Sequence, residues 1–306
     1  MLSPAHADVF FQAFVFLLFS ICKEYLMKII DVRLRPPFQP YLGKGNMFDM
    51  EAENPFALKH FYKNFGMNLS DSMREASMTK LFEEMDRAGD MTGVVSIRKN
   101  ARGYENEALV ELLAQYPDRF LGACGIHPDS SPETIATLQH YVIDGPCITA
   151  FMEPGFHGVM IDDEKLFPTY AFCEEHHIPL LISFGGFHGP TDEFCRPLHA
   201  GNVAAAFPNL KIALCHAGWP WVEHAVWLAF RYPNVYLSPD IYALHAAGAQ
   251  SYIEAANYML RDKILYGSAY PCVDVESSVA MYLEKLRPEV VENIMHKNAE
   301  TFFGLN

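Results

Sequence analysis

The 306-residue chain carries no CxxC pair, no internal repeat, no low-complexity tract and no surplus of positive charge. Each absence excludes something. With 23 Lys and Arg against 37 Asp and Glu, the formal net charge is −14 at pH 7. Such a field repels a polyanion, so nucleic acid is not an expected partner. The 7 cysteines are scattered and odd in number, most of them inside apolar runs such as 120–126 and 210–216. Cys in such runs behaves as a small buried hydrophobe, which reads as a reduced cytoplasmic protein rather than a disulfide scaffold. The apolar stretch at residues 9–22 is 14 residues long and interrupted by Gln12, whereas a bilayer-crossing helix needs about 20. Residues 1–8 hold no Lys or Arg, which a secretory signal would place ahead of its apolar run. Residues 1–26 are therefore expected to be an apolar extension outside the fold, with Met27 the functional start and residues 27–306 a single domain. The rival reading makes residues 1–26 a membrane anchor.

What is present is a globular composition, 50% hydrophobic and 20% charged, arranged in a regular alternation. Short β-branched runs predict strands at 29–34, 93–97, 120–125, 158–161, 180–183, 211–215, 235–237 and 264–266. Amphipathic stretches predict helices at 72–88, 105–115, 132–141, 164–176, 201–207, 221–231, 251–261 and 277–286, with a terminal helix near 289–303. Eight strands alternating with helices suit an α/β fold closed as a (β/α)8 TIM barrel. An open doubly wound sheet is the alternative. The glycine-rich phosphate loop it wants after the first strand is replaced by Pro36 and Pro37.

In such a barrel the chemistry sits at the carboxyl ends of the strands. Strand 1 ends Asp31-Val32-Arg33-Leu34-Arg35, and alternation places Asp31, Arg33 and Arg35 on one face. Buried arginines need anionic company, so these form either a clamp for a substrate carboxylate or an internal Arg–Asp network. Strand 6 runs into His216, followed by Ala217 and Gly218, a placement suited to proton transfer, metal binding or a plain structural hydrogen bond. Asp240 after strand 7 is a general-base candidate or part of a Ser-Pro-Asp turn. Ser268 and Tyr270 end the last strand. Further strand-end candidates are Arg98, Lys99, His127, Asp129, Asp162, Asp163, Ser183 and His188, with Gly185 and Gly186 between the last two. His157 precedes its expected strand and is set aside, and Glu174 to His177 read as a solvated helix end.

These strand-end segments resemble the amidohydrolase superfamily. The branch is the amidohydrolase-related one that contains aminocarboxymuconate-semialdehyde decarboxylase and a metal-independent pyrone-dicarboxylate lactonase. The resemblance covers most of residues 27–306 and is strongest at 28–35, 158–162, 179–186, 210–221, 234–237, 264–271 and 298–300. It implies the metal-dependent hydrolase fold, a TIM barrel in which most members hold a divalent metal. Their ligands are His-x-His on strand 1, histidines ending strands 5 and 6, and an Asp ending strand 8. Here Arg33 and Arg35 stand at the His-x-His positions, Ser183 replaces the strand 5 histidine and Ala269 replaces the Asp, so His216 alone is kept. One imidazole does not hold zinc, which wants three protein ligands. The resemblance therefore implies no metal cofactor, with a displaced site built from His127, His188 and His216 as the alternative.

Two guanidinium groups carry about the charge of the missing dication and suit an anion, but they do not lower the pKa of a bound water. The resemblance thus implies a metal-free hydrolase, of the lactonase kind or cleaving C–O or C–N bonds, that acts on a small carboxylate-bearing molecule. A decarboxylase, or a non-catalytic anion-binding barrel, is the alternative. In this scheme His216, Asp240 and Tyr270 are catalytic, and Arg33, Arg35, Arg98, Ser183 and Asp162 bind substrate. Partners are a small anionic molecule and, as such barrels often dimerise, a second copy of the chain. Trp219, Trp221 and Trp227 offer an interface reading.

Overall fold

The structure, a computed structural model, describes residues 26–43, 46–51, 63–99 and 105–305. The expected extension at 1–26 lies outside these residues except for Leu26. Among the described residues no helix is long and apolar enough to cross a membrane.

Strands buried on both faces read as short apolar runs, and seven such runs form the sheet. They are β1 (Lys28–Leu34), β2 (Asp90–Ser96), β3 (Phe120–Gly125), β4 (Cys147–Met152), β5 (Leu180–Ser183), β6 (Ile212–Cys215) and β7 (Val235–Ser238). They pair in parallel and in chain order. The expected eighth strand at 264–266 is present as an extended segment that makes only an isolated bridge, Leu237 to Ile264. It nevertheless joins both edges. Leu237 N donates to Lys263 O (3.0 Å) and Leu265 N to Leu237 O (2.8 Å), while Val32 N donates to Tyr266 O (3.0 Å). The ring closes through these backbone bonds, as the TIM-barrel expectation requires.

Ile30, Val32, Val94, Ala123, Phe151, Leu181 and Ala213 form the inner cluster, together with Phe302 and Phe303. The last two belong to α10 (Asn298–Phe303). Lys28, opening β1, pairs with Glu300, and Lys211, ahead of β6, donates to Thr301 O, so α10 plugs the amino-terminal end of the barrel. The opposite end carries the carboxyl ends of the strands.

The helices are α1 (Asp71–Glu75), α2 (Met78–Ala88), α3 (Asn106–Gln115), α4 (Pro132–Leu138), α5 (Phe167–Glu175), α6 (Pro197–Ala206), α7 (Val222–Arg231), α8 (Ala249–Asn257), α9 (Val275–Lys285) and α10. The single helix expected at 72–88 is broken. Ala76 turns left-handed (φ 47°), and Ser77 caps the second piece by accepting from Lys80 N. The terminal helix expected at 289–303 is likewise divided, its middle turn 293–297 being a π-helix ahead of α10.

Two expectations are corrected. First, the fourth strand is Cys147–Met152 and not 158–161. Both are short apolar runs, but 147–152 follows the turn signal Asp144-Gly145-Pro146, while 158–161 begins at Gly158 in the left-handed region (φ 64°). Second, β1 does not alternate to its end. Asp31 pairs with Gly93 and Leu34 with Val95, three steps on one strand against two on the other. This bulge moves Leu34 to the outer core with Ile29, whereas Val32 stays inside. Asp31 and Arg33 therefore do not share a face.

Six described cysteines are all buried and free. Buried amides replace ladder bonds where strands start. Asn234 Nδ2 donates to Ala204 O (3.3 Å), Phe207 O (2.8 Å) and Leu210 O (3.0 Å), tying the end of α6 to the entry of β6. Asn234→Ala strands these carbonyls and is expected to lower stability by about 1–3 kcal/mol. In urea unfolding the midpoint should fall with little change of slope, and an unchanged midpoint would contradict the assignment.

Candidate active site

At the carboxyl ends of β6, β7 and the eighth segment the backbone turns left-handed at non-glycine residues: His216 (φ 67°), Ala217 (47°), Asp240 (45°) and Ala269 (60°). Each is a conformation that side-chain-bearing residues avoid, held here by the surrounding packing. The turns aim His216 and Asp240 at each other. His216 Nδ1 lies 2.8 Å from Asp240 Oδ2, and Asp240 is fully buried. Arg33 crosses this pair. Its Nη2 is 3.2 Å from His216 Nε2 and its Nε 3.4 Å from Asp240 Oδ2, with the guanidinium 5.4 Å above the Phe151 ring. It fits there because residue 267 is glycine; a Cβ would meet Arg33 Cγ at 2.7 Å.

Arginine only donates, so Nε2 of His216 accepts, and the ring proton sits on Nδ1 facing Asp240. Burial lowers the pKa of His216, Asp240 opposes that shift, and Arg33 and Arg35 add to it. The imidazole is thus poised neutral, as a base. The contacts to Asp240 are close but poorly aligned. Arg33 Nε, His216 Nδ1, both Asp240 oxygens and Ser238 Oγ are buried without a hydrogen-bond partner among the described residues.

Among the described residues Asp31 takes no guanidinium. It accepts from Arg33 N (2.9 Å), Ser268 N (3.0 Å) and the Ser268 hydroxyl, locking the bulge to the eighth segment. Burial raises its pKa and the Ser268 bonds oppose that. The Arg–Asp network expected within strand 1 is thus not made by Asp31; Arg33 lies instead beside Asp240, from the end of β7. Arg35 is different. Its Nη2 and Nε donate to the carbonyls of Ala269 (2.8 Å) and Tyr270 (3.1 Å), and no carboxylate lies within ion-pair distance among the described residues. Burial and the charge of Arg33 lower its pKa.

A second cluster faces the first. Glu153, directly after β4, is buried and gripped by Arg98 Nη2 at 2.6 Å and Nε at 2.9 and 3.1 Å. His188 stacks on His216 with ring centroids 4.9 Å apart and planes at 22°. Its Nδ1 meets Gly185 O and its Nε2 lies 2.9 Å from Ser183 Oγ. Burial holds the pKa of His188 well below the usual value, and His216 and Arg98 add to the effect. Glu153 escaped the sequence reading because strand 4 was misplaced; the signal was Glu153-Pro154-Gly155 closing an apolar run. Tyr242 was missed too. It is edge-on to His216 at 5.5 Å, and Trp219 stacks on it at 4.8 Å.

The structure thus brings together Arg33, Arg35, Arg98, Ser183, His216 and Asp240, and leaves out two candidates. Asp162 follows the false strand and instead accepts from His199 Nδ1 (2.9 Å) and Asn202 Nδ2 (2.7 Å) of α6. The Tyr270 hydroxyl points into a buried knot with Ser72 Oγ (2.8 Å), and Ser72 donates to Glu84 through both its hydroxyl and its backbone N; the knot anchors α1 and α2 to the eighth segment. Among the weaker candidates, His127 lies 5.9 Å from His157, which follows β4 rather than preceding a strand. Asp129 caps the turn before α4, Lys99 pairs with Glu105, and Asp163 lies beside Lys165. Among the described residues no three His, Cys, Asp or Glu side chains form a group able to hold a metal ion. Of the three tryptophans only Trp227 is exposed.

His199 carries a pH signature. Burial opposes its charge, but bonds to Glu193 and Asp162 outweigh that and raise its pKa. The stability this contributes is complete below the unfolded value of about 6.5 and is lost as pH rises through the higher folded value. The Tm gap between the wild type and His199→Gln is expected to be larger at about pH 5.5 than at about pH 9. An equal gap would contradict the pairing.

The family model described as amidohydrolase matches residues 50–305. Among solved structures, the chain is similar to an uncharacterized TIM-barrel protein from Bordetella bronchiseptica, at 33% identity and TM-score 0.83, covering 91% of this chain and 99% of that one. It is also similar in fold to 2,6-dihydroxybenzoate decarboxylase from Rhizobium, at 17% identity and TM-score 0.65, covering 92% and 99%. A third is dihydroxybenzoic acid decarboxylase from Polaromonas, with bound manganese and an inhibitor, at 17% identity and TM-score 0.62, covering 92% and 98%. No curated protein matches.

Proposed function

Because the chain belongs to the amidohydrolase family, we propose that it is a hydrolase of small carboxylate-bearing esters or lactones that works without a divalent metal. One observation carries the reading: two buried guanidinium groups lie at the barrel mouth, one engaged by His216 and Asp240 and the other, among the described residues, bonded only to carbonyls. Buried charge calls for a counter-ion, and for Arg35 a substrate carboxylate supplies it.

The residues do not fit the family's metal. The nitrogen a metal would use, His216 Nε2, faces Arg33 Nη2 at 3.2 Å, and a dication there would stand against fixed positive charge. Ser183 and Ala269 occupy two more ligand positions of the family. Arg33 stabilises negative charge developing on the scissile carbonyl oxygen. As it turns toward that oxygen it frees His216 Nε2, which takes a proton from the attacking oxygen while Asp240 steadies the imidazolium. The cytoplasm, as inferred from cysteine usage, is the proposed compartment.

Decarboxylation is the second reading, favoured by the fold likeness to 2,6-dihydroxybenzoate decarboxylase. A guanidinium holding the carboxylate to be lost would stabilise the ground state and slow that reaction, which is why hydrolysis is preferred. The test is product analysis on carboxylate-bearing lactones and hydroxybenzoates. Ring-opened acid is expected, and release of carbon dioxide alone would move the assignment to the second reading. Binding without any product would make the barrel a non-catalytic anion binder. His216→Asn should keep the fold and lose about 100-fold or more in turnover, and Arg35→Met should raise KM more than it lowers kcat. Undiminished turnover in His216→Asn would remove the proposed base.

A further inference from the structure

The Ser183 hydroxyl and the His188 imidazole form a pair that the hydrolytic reading leaves unused. The Gly185 carbonyl only accepts, so Nδ1 of His188 carries the proton toward it. Nε2 is then the lone-pair nitrogen, and at 2.9 Å it accepts from the Ser183 hydroxyl. A hydroxyl donates to an imidazole, and the imidazole is oriented through its other nitrogen by a third group. That is the geometry of an activated nucleophile. Ser183 ends β5, on the chemical side of the barrel, and its partner ring stacks on His216 at 4.9 Å. Burial holds His188 neutral, with Nε2 free to accept, and Glu153 Oε1, 3.9 Å from Nε2, is a carboxylate near the transient imidazolium.

We propose that Ser183 is a covalent nucleophile, with His188 as its base and His216 as the base of the second step. The proposal rests on the ester or lactone reading above and deepens it. In the first step Ser183 Oγ bonds to the scissile carbonyl carbon and the bond to the leaving oxygen breaks. The serine proton passes to His188 Nε2 and on to the leaving oxygen. In the second step water adds to the acyl carbon as one of its protons goes to His216 Nε2. The Oγ–carbon bond then breaks, the new carboxylic acid returns its proton to Oγ, and His216 releases its proton to solvent. Two stacked imidazoles thus serve one step each, which gives a reason for both.

The experiment has two arms. A fluorophosphonate, which labels activated serines, is added to the wild-type protein and the modified peptide is mapped by mass spectrometry. The label is expected on Ser183, with labelling slowed about 100-fold or more in His188→Asn and retained in His216→Asn. In the second arm, His216→Asn is mixed with a carboxylate-bearing lactone that the wild type hydrolyses, and its intact mass is recorded. An adduct of one substrate mass on Ser183 is expected, because deacylation has lost its base. Turnover at the wild-type rate by Ser183→Ala, or a label that avoids Ser183, overturns the covalent proposal and leaves the hydrolase reading standing. A wild type that hydrolyses no lactone yet takes the label on Ser183 overturns the hydrolase reading and leaves the nucleophile in place.

Discussion

The site depends on one contact: the guanidinium of Arg33 laid across the His216–Asp240 pair. A charge that arginine does not give up is held within reach of both the imidazole nitrogen and the carboxylate. It directs the His216 proton to Nδ1 and adds to burial in holding the ring neutral; in the proposed mechanism it also supplies the positive potential that a metal ion gives in most of the family. Arg35, which has no carboxylate within ion-pair distance among the described residues, is the proposed anchor for a ligand's negative charge. Arg98 adds a third cation but is already answered by Glu153.

The barrel makes this contact possible by accepting local irregularity. A bulge in β1 turns Arg33 inward and leaves Asp31 to fasten the strand to the eighth segment. The backbone turns left-handed at His216, Asp240 and Ala269, directly after the strand ends. The glycine at 267 leaves room for the Arg33 stem. These are departures from strand geometry, concentrated at one end, and they sit against a plugged and apolar opposite end.

Much of this was legible in the sequence, and the exceptions have physical causes. Runs such as 120–125 and 180–183 coincide with β3 and β5 because fully buried parallel strands leave an uninterrupted apolar signature. Arg33, His216 and Asp240 were visible as charged or polar residues at strand ends. The pairing of Arg33 with Asp240 was not, because it depends on a bulge that alternation alone conceals. Misplacing the fourth strand carried Asp162 into the site and kept Glu153 out, since two apolar runs of similar length competed within a few residues. Tyr270 sat at the right end of its segment, but a strand-end position does not show that the hydroxyl faces Ser72 rather than the cavity.

Elemental analysis tests the central claim most directly. The protein, produced with manganese and zinc supplied and then dialysed, is assayed for bound metal by mass spectrometry. Metal far below one equivalent is expected, with no gain when either ion is added back. One equivalent of tightly held ion, lost on replacing His216, would contradict the claim that Arg33 holds that place.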